Sequence, residues 1–120
     1  MLRFALAATV FFCLTNTASA NMGAADLKRY CENKNSPEQF VCFGYIQGII
    51  DTTIFTAEAF QKTPLGSEVI TCMPDGVPEK VIQGIIERYL GEHPDQLKYS
   101  AISEIEAALM EAYPCPEKSN

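Results

Sequence analysis

The chain has no tryptophan and one histidine, and its nine basic residues stand against fifteen acidic ones. Each shortage removes a class of function. With a net charge of −6 and no basic stripe, nucleic acid and anionic membrane make poor partners. There is no Cys-x-x-Cys, so the sequence reads neither as a redox-active pair nor as a closed zinc site. No phosphate loop and no nucleophile–base pair is present, which argues against an enzyme. No apolar run reaches the ~20 residues that a spanning helix needs. Internal repeats and low-complexity tracts are lacking too.

What is present begins with a targeting pattern. Arg3 supplies a positive start, Phe4 to Leu14 form an apolar stretch, and Ala18-Ser19-Ala20 is a small-x-small cleavage site. Residues 1–20 therefore read as a signal peptide cleaved after Ala20, and 21–120 as one exported domain. Cys13 leaves with the signal. Phe12 precedes it, where a lipoprotein would carry a small residue. Losing Arg3 takes the net charge from −6 to −7.

Helical periodicity runs through the rest, so the expected fold is all-α, a small bundle of about four helices. A first helix is expected over Ala24 to Glu32, then a polar turn to Ser36. Ser36-Pro37-Glu38-Gln39 reads as a helix start, with Ser36 as N-cap, Pro37 in the first turn and Gln39 closing a capping box. Helix two runs to about Phe60. Its apolar residues cover more than one side, which predicts the most buried element. Gln61 to Thr71 is a loop, with Glu68 to Thr71 a short extended piece. Pro78 opens helix three, where Val81, Ile82, Ile85, Ile86, Tyr89 and Leu90 recur at helical spacing. Gly91 and Pro94 end it, and His93 is placed to cap its negative end. Helix four starts between Gln96 and Ser100, carries Ile102, Ile105, Leu109 and Ala112, and stops at Tyr113-Pro114. Glu117 to Asn120 are expected to fray.

Four cysteines remain in the mature chain: Cys31, Cys42, Cys72 and Cys115. In a small exported domain they read as two disulfides. If the helices alternate up and down, Cys31 and Cys42 flank one turn, while Cys72 precedes helix three and Cys115 follows helix four. That favours Cys31–Cys42 with Cys72–Cys115, each contributing about 3–4 kcal/mol. Cys42–Cys72 with Cys31–Cys115 stays open as the alternative.

Gly44, Gly48 and Asp51 are spaced four and three apart and share a helical face. Two glycines within a helix, each costing ~1 kcal/mol relative to alanine, predict that another backbone approaches there. Asp51 would then clamp free backbone N–H groups. The competing reading, a catalytic Asp51 with His93, lacks a nucleophile.

The runs Cys42-Phe-Gly-Tyr-Ile-Gln-Gly-Ile-Ile-Asp51, Cys72-Met-Pro-Asp-Gly-Val-Pro78, Tyr89-Leu-Gly-Glu-His-Pro94 and Ala107-Ala-Leu-Met-Glu-Ala-Tyr-Pro-Cys115 together resemble the Rap/Tai family of type VI secretion immunity proteins. The resemblance covers nearly all of the mature chain. It implies a disulfide-bonded periplasmic domain, often a homodimer, without catalysis or cofactor. Such a domain binds a peptidoglycan-cleaving amidase effector and blocks its cleft. The matching residues, including Gly44, Tyr45, Gly48, Asp51 and Pro114, look like scaffold. Loops on a stapled scaffold are the natural contact surface. Leu65 and Glu68 in one loop, and Glu92, Asp95 and Tyr99 in another corner, are the candidates. An acid-stress chaperone of the HdeA type, or an accessory subunit of an envelope complex, are the alternatives.

Overall fold

The computed structural model describes residues 21–61 and 71–116, and within them four α-helices pack around one core. The expected signal peptide, the loop that carries Leu65 and Glu68, and the last four residues lie outside the described residues. The helices are α1 (Ala24–Glu32), α2 (Glu38–Gln61), α3 (Glu79–Glu92) and α4 (Ala101–Ala112), with a 3-10 turn at Pro94–Gln96. The chain is thus all-α, as its periodicity predicts.

The helix ends follow local chemistry. Ser36 Oγ accepts from the Glu38 N–H at 3.2 Å, but the reciprocal arm of the capping box is not made. The Ser36 N–H donates instead to the Asn33 carbonyl, so Gln39 has no free donor to meet there. Ser100 caps α4, its hydroxyl accepting from the Ser103 N–H. At the end of α3 the His93 N–H donates to the Tyr89 carbonyl, and Nδ1 lies 2.9 Å from the same oxygen.

The core consists of Ala24, Leu27 and Cys31 from α1, Cys42, Ile46 and Ile50 from α2, Ile82, Ile86 and Leu90 from α3, and Ala101, Ile105, Ala108 and Leu109 from α4. Each helix packs on the other three; the closest pairings are α1 with α2 and α3 with α4. The chain start is pinned as well. The Ala24 N–H donates to the Tyr99 carbonyl, and the Ala101 N–H to the Met22 carbonyl at 2.8 Å. An antiparallel bridge between Gly23 and Ser100 results.

Two bridges staple this arrangement. Cys31–Cys42 joins the last turn of α1 to the second turn of α2, and Cys72–Cys115 joins the segment before α3 to the segment after α4. The second is reinforced, because the Cys72 N–H donates to the Tyr113 carbonyl that ends α4.

Three further expectations need correction. Helix α2 is not the most buried element, because its apolar residues surround it and the described residues pack on one side of it: Phe40, Val41, Ile54 and Phe55 are exposed. Nor do Gly44 and Gly48 mark a tight crossing within the protomer. A Cβ at either would meet nothing within 4 Å. Asp51 clamps no loop; it is exposed and accepts from Gln47 one turn back at 2.8 Å. Likewise Val81 and Ile102, counted in apolar stripes, face solvent. Ala101, Ile105 and Ala108 form the buried edge of α4 instead.

Candidate functional site

Three surfaces have the makings of a site. The first is the corner between α3 and α4. Glu92 ends α3, Asp95 lies in the 3-10 turn, and Tyr99 follows three residues after that turn ends; all three are exposed. The corner is held from below. The Tyr99 N–H donates to the Gln96 carbonyl, and the Tyr99 carbonyl accepts from Ala24. Lys98 Nζ stands 5.1 Å from the Tyr99 ring centre, which braces an otherwise free aromatic. The arrangement offers two carboxylates and one apolar ring on a rigid corner. Leu65 and Glu68, expected to share in contact, lie outside the described residues.

Beneath this corner is a group that sequence reasoning missed. Glu104 is 5 % exposed, and its Oε2 has no hydrogen-bond partner. Burial pushes its carboxyl above the ordinary 4.5, while nearby His93 opposes the rise and Asp95 adds to it. Burial also raises the Tyr89 phenol, and the Glu104 charge raises it further. The His93 ring stacks on Tyr89, with centroids 4.1 Å apart. Spacing held the signal: Glu104 follows Ala101 by three residues and precedes Ala108 by four, which puts a carboxylate on the core edge of α4.

The second surface is a cleft of about 480 Å³ lined by Lys34, Gln39, Phe43, Lys80, Gln83 and Glu87. Lys34 pairs with Glu87 at 2.7 Å and ties the α1–α2 turn to α3. Gln83 Nε2 donates to Glu87 Oε1 at 2.6 Å. The Glu87 carboxylate and the sulfurs of Cys31 and Cys42 lie within 4.8 Å of one another. Those sulfurs are joined in a disulfide and offer no thiolate, so this trio is not a ligand set in the oxidised protein.

The third surface is the uncovered side of α2, where Gly44 and Gly48 lie among exposed apolar residues. Of the other motif residues, Tyr45 packs at the core margin, and exposed Pro114 separates the end of α4 from Cys115.

No described helix is long and apolar enough to cross a membrane. These features define a class: a small all-α scaffold, stapled twice, with exposed surfaces at the α3–α4 corner and along α2. The sequence model of the Rap1a immunity proteins matches residues 23–115, and the chain belongs to that family. Membership assigns an immunity role, which implies binding of a partner effector protein. No curated protein sequence matches the chain.

Proposed function

We propose that the protein is a periplasmic immunity protein that binds a type VI secreted peptidoglycan amidase and inhibits it by covering its active-site cleft. The observation that carries this reading is the family match over residues 23–115, which spans all four helices and both bridges. The protein runs no reaction of its own. Residues 1–20 act as the signal peptide, cleaved after Ala20, and the mature domain works as a homodimer without cofactor or metal.

Chemistry of the surface supports the mode of binding. The Glu92–Asp95–Tyr99 corner combines negative charge with an exposed ring, which suits the rim of a basic cleft. Complementary charge then guides encounter, and the ring supplies buried area. Leu65 and Glu68 complete this surface in the proposal. The Gly23–Ser100 bridge and the Ala24 N–H bond to the Tyr99 carbonyl hold the corner in place, so binding orders few groups.

The test mixes the mature chain with the amidase encoded beside it. A complex at micromolar concentration and loss of peptidoglycan hydrolysis are expected. Undiminished hydrolysis with no complex would sink the reading. A Glu92→Lys, Asp95→Lys variant that inhibits as well as the natural protein would move the contact elsewhere.

A further inference from the structure

Glu104 stands where a charge has no partner. It shares the inward edge of α4 with Ala101, Ile105 and Ala108, and its Oε2 is closed off from solvent without a hydrogen bond. An ionised carboxylate in such a place costs far more than a neutral one, because nothing replaces the water it gives up. The side chain therefore keeps a proton or moves.

The groups around it decide which. Tyr89 and His93 face it from α3, and Asp95 from the 3-10 turn. On α4 itself, Glu111 joins Glu104 and Asp95 in acting on the Tyr89 phenol. Among the described residues, α1 and α2 bring no charge that moves the Glu104 carboxyl. His93 is thus the one group acting on it that can become a cation.

The His93 ring is held in a defined tautomer. It stacks on Tyr89, and its Nδ1 lies 2.9 Å from the Tyr89 carbonyl. A carbonyl oxygen only accepts, so Nδ1 carries the hydrogen, and Nε2 of the neutral ring has only a lone pair. With one proton between the two side chains, there are two acceptable arrangements: a neutral carboxyl beside a neutral imidazole, or a carboxylate beside an imidazolium. With none, a bare carboxylate stays buried beside a ring that has no donor left for it.

Only water relieves that last state. Glu104 lies in the first turn of α4, beneath the stretch from His93 to Ser100. Two backbone bonds shape that stretch: the Gln96 N–H donates to the His93 carbonyl, and the Tyr99 N–H to the Gln96 carbonyl. A local opening there solvates the carboxylate without unfolding the core. It also releases Asp95 and Tyr99 from their fixed places.

We propose that Glu104 and His93 form a one-proton latch beneath the α3–α4 corner, closed while a proton is held between them and opening locally when that proton leaves. The corner is then best ordered in mild acid and loosens as pH rises. This goes beyond the function proposed above and is a property of the chain alone, whatever its partner.

His93 is the chain's one histidine, so its ring protons give a single unambiguous signal. Proton NMR of the disulfide-bonded mature chain from about pH 4 to pH 8 should show two steps for them, one from the ring itself and one from Glu104. Glu104→Gln should leave one step. Amide protection at Tyr99 and Ala101, corrected for the intrinsic pH dependence of exchange, should fall by about tenfold per pH unit above the Glu104 step, the slope of one linked proton. Ile46, in the core side of α2, should not follow. Glu104→Gln should abolish the fall, and Asp95→Asn should move it to lower pH, because the Asp95 charge helps to keep the carboxyl protonated. A single His93 step that Glu104→Gln leaves unchanged overturns the latch. Protection at Tyr99 that ignores pH, or that falls equally in Glu104→Gln or equally at Ile46, overturns it too.

Discussion

Helices α2 and α4 are both rich in apolar residues, yet the fold treats them in opposite ways. Helix α4 turns Ala101, Ile105, Ala108 and Leu109 inward and draws a carboxylate, Glu104, in with them. Helix α2 buries Cys42, Ile46 and Ile50 and leaves two phenylalanines, a valine and an isoleucine in solvent. In α4 the protomer spends polar chemistry to complete its own core. In α2 it withholds cover from apolar surface it already has. The contrast shows that apolar content reports the total demand for burial, and that the described fold meets only part of it.

The sharpest way to break the contrast is through the staples. Replacing Cys72 and Cys115 with serine opens the loop around α3 and α4 and should cost about 4 kcal/mol, more than opening the shorter Cys31–Cys42 loop. Urea unfolding of the two variants checks the order. Next come truncations on the two sides of α2. Ile46→Ala should lower stability by about 2–5 kcal/mol. Phe55→Ala should change a dilute, monomeric sample by less than about 0.5 kcal/mol. Equal losses at both sites would erase the distinction between the faces.

Glu104 gives a smaller effect with a definite sign. Its folded carboxyl titrates above the ordinary 4.5, so the native state holds the proton more tightly than the unfolded chain. The stability this contributes is fully present below that ordinary value and is lost as pH rises through the raised folded value. Glu104→Gln removes the charge, so it should gain about 1 kcal/mol on the natural protein at pH 7 and nothing at pH 4. Thermal melts across that range test it; parallel curves for the two proteins would refute the buried, unpartnered carboxylate.

Gly44→Ala sharpens the picture on α2. With nothing near its Cβ, the substitution should stabilise the isolated protomer by up to ~1 kcal/mol. The same methyl should weaken self-association if a second backbone lies over it. Smallest of all is Lys34→Ala, which breaks a half-exposed pair with Glu87 and should cost under ~1 kcal/mol.

The helices and their ends were legible because they depend on neighbours in sequence: Pro78, Ser100 and the Tyr113-Pro114 stop act within one turn. The cysteine pairs were legible once short connections were taken to alternate the helices. The role of the Gly44–Asp51 stripe was not. A glycine pair on a helix permits a close approach without requiring one, and in the described fold nothing lies within 4 Å of a Cβ at either position. Glu104 was passed over for another reason: its spacing placed it inward, but a charged side chain reads as surface until neighbours are seen. At the corner, Glu92, Asp95 and Tyr99 were identifiable as exposed from the turn residues around them. That they stand over a buried carboxylate and a stacked histidine follows only from how α3 meets α4.

The pairing of Gly23 with Ser100 has a practical bearing on how the protein is handled. It places the first residues of the domain directly beside Tyr99. A reporter or affinity handle joined ahead of Asn21 emerges next to that corner and competes with anything that approaches it. If the corner is the contact surface proposed above, capture through an N-terminal handle is biased toward silence, while a handle on a long spacer, or a label on exposed Lys80 at the α2–α3 cleft, leaves the corner open.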